Sequence, residues 1–386
     1  MTMLRHLAAA ILVALAAALL SVELGAFRDY QMAQVAVYVV AVAGLSVLIG
    51  LSGQISIGHG AFMAIGAYCA ALLLMHLSWP LEAVLAASAA GTALAGLVVG
   101  VAAARLRGPY LAGVTLMLAV ALPALAFQYP GVFGGDQGLG VSITTPAFLG
   151  PTFPLTRWQA WVATAAALIT LVLLANLAHS RIGRSWRAIR DDETAAALAG
   201  LNVAALRVLA FVISAACAGL AGALLGVITT LVSPGSFTIT LSIALLTAAV
   251  LGGLGTLPGA VWGSLVIVLV PTYITDVATS HGLPSSVAAN IPVAAYGVVL
   301  IAVMLVFPNG IQGGVRRLLG PALPAASGSL SAVRRTARPG AHPGAGGSPG
   351  ALRRMVRPGG PPDADGSLNA FRRQAPANEH PEEGTQ

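Results

Sequence analysis

Not one of the 386 residues is lysine, so all 20 basic side chains are arginine, and against 13 acids they leave a formal charge of +7. A P-loop needs the lysine that reaches the β- and γ-phosphates, and Schiff-base catalysis needs a lysine amine. Both are excluded for this chain. Charge of either sign is scarce: charged residues make up 9% of the chain, where soluble domains carry roughly 25%. Cys69 and Cys217, the two cysteines, stand in separate apolar segments without C-x-x-C or metal-ligand spacing and read as small packing residues. No H-E-x-x-H cluster or nucleophile with a neighbouring base is present, which argues against an intramembrane enzyme.

Apolar side chains take up the space that charge leaves. The chain is 57% hydrophobic with a mean hydropathy of +0.85, and residues 7–22, 83–104 and 158–177 hold no charged residue, Glu82 lying just outside the second run. Runs of about 20 apolar residues match the ~30 Å hydrocarbon core of a bilayer. The expected fold class is therefore an all-α polytopic membrane protein. Its spans fall near 7–24, 34–50, 58–76, 83–104, 109–128, 158–178, 206–231, 239–252, 258–275 and 288–307, about ten helices of membrane-spanning length. The first run follows Arg5 like a signal peptide, but Ser21-Val22-Glu23-Leu24-Gly25 lacks a small-x-small cleavage site, so it is read as an uncleaved helix.

With both termini cytoplasmic, an even count of spans places Arg105 and Arg107, the run Arg181 to Arg190, and Arg316-Arg317 on the inner face. This is the distribution that the positive-inside rule favours. Residues 1–33 are then an N-terminal helix and external loop, 34–315 the membrane domain with a cytoplasmic loop at 180–205, and 316–386 a tail. The external stretch 129–157 is rich in Gly and Pro and reads as a loop holding at most a short surface helix. From Arg316 onward the tail has 10 Arg against 5 acids and almost no core-forming residues. It is expected to be disordered, with weak attraction to membrane lipid as one role and plain solvation as the other.

Three stretches stand out inside this pattern. In Gly50-Leu51-Ser52-Gly53-Gln54-Ile55-Ser56-Ile57-Gly58-His59-Gly60-Ala61-Phe62, glycines and polar side chains interrupt what would otherwise be a continuous apolar helix pair. A broken helix in lipid must give its backbone groups to protein or to a water-filled cavity, and transporters aim such helix ends at charged solute groups. The glycines serve either close packing or a pathway and hinge. His59 has no identifiable carboxylate partner and reads first as a packed, hydrogen-bonded side chain; Tyr110 and Gln128 line the pathway or bond across helices. Ser180 to Asn202 forms the second stretch, where Trp186, Ile189, Ala196 and Ala197 recur at helical spacing among arginines and are followed by Asp191-Asp192-Glu193. A helix there lies at the membrane surface or docks into a groove on a soluble partner, and anionic lipid would repel its acids. Val250 to Gly259 is a further Gly-rich interruption without the spacing of a nucleotide fingerprint, faintly like Gly50 to Gly60.

Taken together these motifs resemble the LivM-type permeases of branched-chain amino acid ABC importers, over roughly residues 34–315. Gly50-Leu51-Ser52-Gly53-Gln54-Ile55-Ser56-Ile57-Gly58 with Gly60-Ala61-Phe62 and Gly66-Ala67-Tyr68 is similar to the family's first signature. Arg107-Gly108-Pro109-Tyr110 with Thr115-Leu116, and Gly134-Gly135-Asp136-Gln137-Gly138, are similar to the next two. Gly183-Arg184 through Arg187 and Arg190-Asp191-Asp192-Glu193 to Gly200-Leu201-Asn202, then Ala210-Phe211 and Ser214, resembles the fourth, and Gly219-Leu220-Ala221-Gly222, Pro234, Phe237, Ser242, Gly252-Gly253-Leu254-Gly255 and Phe307-Pro308-Asn309-Gly310 continue the pattern. The family's coupling loop often carries E-A-A-x-x-x-G; here Thr194-Ala195-Ala196 precedes Gly200, with Glu193 one position early.

The resemblance implies a permease subunit in a bacterial cytoplasmic membrane, translocating branched-chain amino acids with a second, LivH-type permease. It also implies two ABC ATPase subunits and a periplasmic or lipid-anchored binding protein. ATP and Mg would reside on the ATPases, no cofactor or metal on this chain, and nucleic acid is no partner. It marks Gly183, Arg184, Arg187, Arg190, Asp191, Asp192, Glu193, Ala196 and Gly200 for ATPase coupling. Gly53, Gln54, Ser56, Gly58, His59, Tyr68, Tyr110 and Thr115 are the candidate substrate pathway. Urea or short amides are alternative solutes. A stand-alone ion-coupled transporter is the rival mechanism, and it would be expected to hold paired intramembrane acids, whereas Glu82 and Asp276 fall at span ends.

Overall fold

A computed structural model describes residues 21, 25–77, 79–105, 109–146, 149–150, 152–281 and 310–319, with scattered positions between 291 and 308. Among these, eight helical stretches are long and apolar enough to cross a membrane. The helices are α1 (Ala26–Ser52), α2 (His59–His76), α3 (Leu81–Ala104), α4 (Pro109–Gln128), the short α5 (Pro130–Phe133), α6 (Leu155–His179), α7 (Arg181–Asp191), α8 (Glu193–Leu198), α9 (Val203–Thr229), α10 (Ile239–Gly252), α11 (Leu257–Ser280) and α12 (Gly310–Leu319). Apart from Ser21, the expected span at 7–24 lies outside the described residues, as do most of 288–307 and the tail beyond 319.

Two expectations are corrected. Residues 26–33 are not external loop but the first turns of α1. The charges of Arg28 and Asp29 suggested a loop, yet Asp29 is buried and faces Arg157 of α6 at 3.6 Å, which lets an acid sit inside an apolar helix. The cytoplasmic segment is also not one helix. Asp192, extended at φ −155°, ends α7 and caps α8, its side chain accepting from the Ala195 amide at 3.0 Å. The external segment adds a feature that periodicity did not suggest: β1 (Leu139–Gly140) pairs antiparallel with β2 (Leu231–Val232), just past the end of α9.

α1 is the most buried span because α6, α9, α10 and α11 all pack on it. Small residues permit these contacts. A side chain at Gly66 would strike the backbone of Gly219, and one at Gly222 the backbone of Met63, so α2 and α9 approach as closely as helices can.

The packing has an internal symmetry. α9 packs on α2 and α3 as α1 packs on α10 and α11, and the pairs α2–α3 and α10–α11 match one another. Four spans, α2, α3, α4 and α6, lie between α1 and α9, so the two units run in opposite senses, the arrangement of an inverted-topology repeat. The counterpart of the break after α1 is therefore the segment 230–238 after α9, not the Gly-rich stretch 250–259. That stretch instead packs directly on the first break, with Gly255 against Gly50.

Candidate functional site

α1 ends at the cytoplasmic side in a left-handed Gly53 (φ +72°), whose amide and that of Gln54 bond back to Ile49 and Leu48. The chain then turns back into the protein as an extended segment, with Gln54 and Ser56 facing inward and Ile55 half exposed. α2 begins only at His59, level with Gly44 of α1. That is eight residues from the end of α1, or about 12 Å along its axis at 1.5 Å per residue. Residues 53–58 thus form a re-entrant stretch.

Side chains of three other helices take up its polar groups. Gln54 Nε2 donates to Ser52 Oγ (3.0 Å) and to the Arg207 carbonyl (3.1 Å). The Ile57 amide donates to Thr115 Oγ1 of α4 (3.0 Å), and Gly58 lies directly on the Thr115 backbone. Ser214 Oγ of α9 donates to the Gly44 carbonyl (2.9 Å), so it must accept from His59 Nε2 (2.7 Å). His59 Nδ1 then accepts from Ser56 Oγ at 3.0 Å. The chain Ser56–His59–Ser214–Gly44 ends in a backbone carbonyl, which takes no proton. His59 is thus a brace across α1, α2 and α9, not a member of a proton relay.

The outer break mirrors this. α9 ends in a left-handed Thr230, the strand pair and a 3-10 turn at Pro234–Phe237 follow, and α10 begins at Ile239. The first turns of α2 and α10 touch: the Gly60 amide donates to Ser242 Oγ at 3.0 Å, and Gly60 lies near the Thr238 carbonyl. Neither Gly58 nor Thr238, the N-cap residues, supplies a side-chain cap. Two helix N-termini, each reached by a re-entrant segment from the opposite membrane face, thus converge inside the bundle.

At the cytoplasmic face α7 ties together three spans. Trp186 is fully buried and donates its Nε1–H to the Leu206 carbonyl at the base of α9 (2.8 Å). Arg187 and Arg184 donate to the carbonyls of Ala178 (3.1 Å) and His179 (3.2 Å) at the end of α6, and Arg190 donates to the Gly50 carbonyl of α1 (2.5 Å). Arginines suit these positions because the last carbonyls of a helix lack intrahelical donors and carry its negative dipole end. Gly183 lies against the Ala178 backbone, where a side chain would not fit.

Of the remaining coupling candidates, Asp191 pairs with Arg190 at 2.9 Å, and Gly200 (φ +84°) closes α8 with the Leu201 amide bonded to the Ala196 carbonyl. Ala196 is buried, while Leu198 is 86% exposed. Glu193 turns inward and takes a two-pronged bond from Arg207 of α9 (3.1 and 2.9 Å). Arg207, Phe211 and Ser214 share one face of α9 at i, i+4 and i+7, so the face that grips α8 also holds Gln54 and His59.

The structure therefore brings Gly53, Gln54, Ser56, Gly58, His59 and Thr115 together and leaves two candidates apart. Tyr68 packs edge-on against Phe133 of the external segment, ring centroids 5.0 Å apart, and Tyr110 is 75% exposed on α4. Arg207 is the site residue that sequence reasoning missed; Ser214 and Ser242 entered it only as positions in the motifs, with no role in the site. A lone arginine at the start of an apolar span, opposite an acid cluster on the same membrane face, was the available signal for Arg207.

A family model described as branched-chain amino acid transport system, permease component, matches residues 27–308, the interval that contains both breaks and the cytoplasmic pair. The chain belongs to this permease family. Its relatives include the high-affinity branched-chain amino acid transport system permease protein LivM of Salmonella typhimurium, 33% identical over 256 residues covering 60% of each chain. LivM of Escherichia coli is 32% identical over the same length. The permease protein BraD of Pseudomonas aeruginosa is 31% identical over 302 residues, covering 72% of this chain and 91% of BraD. The permease spans 60% of the length of the LivM relatives it matches. No solved structure matches it.

Proposed function

We propose that this chain is the membrane-spanning subunit of an ABC importer for branched-chain amino acids, in a cytoplasmic membrane. It would work with a second, LivH-type permease, two ATPase subunits holding ATP and Mg, and a binding protein that delivers the solute. The observation that carries this reading is the convergence of the α2 and α10 N-termini, with the inner re-entrant segment hydrogen-bonded to the base of α9 and the last turn of α1 before it held by Arg190 of α7. Paired helix N-termini favour an anionic group such as an amino acid's carboxylate. Urea and short amides offer no such charge.

The energy must come from elsewhere, since the chain has no lysine for a P-loop. α8 presents its exposed face, with Leu198 at its tip, to the cytoplasm, and an apolar tip on a short helix suits a groove on a soluble ATPase. Motion of α7 and α8 reaches the inner break through Arg190, Arg207 and Gln54 and shifts the population between inward- and outward-facing arrangements. A stand-alone ion-coupled mechanism lacks support: Glu82 and Asp276 are exposed, and Asp29 faces Arg157 near the outer end of α1.

The test is uptake of radiolabelled leucine, with urea in parallel, in cells lacking the chain and in cells with it restored. Loss and recovery of leucine uptake alone is the expected result. Loss of urea uptake alone moves the solute and keeps the permease, whereas unchanged uptake of both overturns the assignment.

A further inference from the structure

Beside the cytoplasmic ends of α1, α6 and α11 lies an open groove of about 680 Å3. Its walls are aliphatic, chiefly Leu168, Leu171 and Val172 of α6 with Leu257 and Val261 of α11, while Arg187, Arg316 and His179 stand at its mouth and no acid among the described residues lines it. Arg187 comes from α7 and Arg316 from α12, so arginines far apart in the chain meet on one face of the membrane, as their distribution predicts. Arg187 uses one nitrogen on the Ala178 carbonyl and keeps further N–H donors, and Arg316 is exposed. α11 begins at this mouth, adding the positive end of its dipole. Ile169 and Leu173, beside the groove wall on α6, are 60% and 63% exposed.

A soluble anion would satisfy the arginines and leave the aliphatic walls uncovered. A hydrocarbon chain alone would do the reverse. We propose that the groove holds an anionic phospholipid of the cytoplasmic leaflet, its phosphate on Arg187 and Arg316 and an acyl chain along α6 and α11. Basic pockets between spans on the cytoplasmic side are suited to such headgroups. The lipid would bridge α7 to α12 and so couple the composition of the inner leaflet to the helix that ties α1, α6 and α9 together. The inference needs only the cytoplasmic orientation of the arginines, not the identity of the solute.

The test is native mass spectrometry of the full-length chain, purified in mild detergent with the subunits that accompany it and exposed to phosphatidylglycerol or phosphatidylcholine. Roughly 1 kcal/mol per arginine near an anionic surface corresponds to about a fivefold preference. The expected result is at least that preference for phosphatidylglycerol in the wild type, lowered about fivefold in Arg316→Gln and kept in Arg316→Lys. Val261→Trp, which fills the groove, should lower retention of both lipids. Equal retention of the two lipids by the wild type, or unchanged retention in Arg316→Gln and Val261→Trp, overturns the proposal. So does a cross-link from position 261 to a neighbouring subunit, which would make a protein segment the occupant. The readout involves no uptake, so it can fail while the transport reading stands, and the reverse.

Discussion

Residues 53–58 and 230–238 each follow a long helix that ends in a left-handed residue, Gly53 at φ +72° and Thr230 at φ +55°, and each leads to a helix starting inside the bundle. They are held differently. The inner segment is fastened through side chains, by Thr115 of α4 and by its own Gln54 on the Arg207 carbonyl of α9, and the ends of its flanking helices by Ser214, Ser242 and Arg190. The outer one is fastened by backbone, through the β1–β2 pair and the bond from the Val141 amide to the Thr230 carbonyl at 2.9 Å. Side-chain bonds can be exchanged as helices slide, whereas a strand pair holds its register until it opens. The inner segment is therefore the one arranged to respond to the cytoplasmic helices, and the outer one moves with the external segment 129–146.

The sharpest way to break this comparison is to add bulk at matched positions. A Cβ at Gly58 would run into the Thr115 carbonyl, whereas one at Gly235 meets nothing within 4 Å. Overpacking costs about 1–3 kcal/mol even where neighbours give way, and here the neighbour is backbone. Gly58→Val should lower leucine uptake more than tenfold and reduce the amount of folded protein in the membrane. Gly235→Val should keep at least half of both. Uptake and a fluorescence-detected size-exclusion profile read the pair; equal damage from the two would remove the asymmetry.

A smaller effect is expected at the Glu193–Arg207 pair, half-buried at the joint between α8 and α9. Glu193→Gln keeps the shape and loses the charge. At about 1 kcal/mol for such a pair, it should lower solute moved per ATP hydrolysed about fivefold while leaving abundance unchanged. The exchange Glu193→Arg with Arg207→Glu should restore a good part of it. A fall in abundance with unaltered stoichiometry would make the pair merely structural.

How much of this was legible beforehand follows from the same residues. The apolar runs located eight spans, seven of them to within about five residues and α1 with its start eight residues late, since in lipid a backbone that is not helical must find other partners. Gln54, Ser56 and His59 drew notice because polar groups and glycines interrupted such a run. Ser214 and Ser242 stood out only as motif positions, without a role. Hydroxyls inside apolar helices mostly bond the carbonyl four residues back, as Ser88, Thr92, Thr170 and Ser264 do here. Nothing local distinguishes those from the two that reach across to another helix. Glu193 was marked for docking because of its place in the coupling motif, but a shift of one residue turns a helical side chain by about 100°, enough to aim it at Arg207 in its own chain. The β1–β2 pair was missed because two-residue strands carry no periodic signal.

The smallest effect concerns the left-handed residues themselves. Gly53 occupies its conformation without cost, but Thr230 is β-branched, and a side chain of that kind at positive φ carries strain of about 1–2 kcal/mol. Among the described residues Thr230 Oγ1 bonds only to the neighbouring Thr229 carbonyl, so glycine there forfeits little. Against the relief stands the greater freedom that glycine gains in the unfolded chain, roughly 0.5–1 kcal/mol. The two leave a modest net gain. Thr230→Gly should therefore raise the melting temperature of the detergent-solubilised protein by about 1–2 °C and leave uptake at the wild-type level. A lower melting temperature would mean that the threonine holds the outer segment in a way that its single hydrogen bond does not show, and the outer break would then depend on side chains as the inner one does.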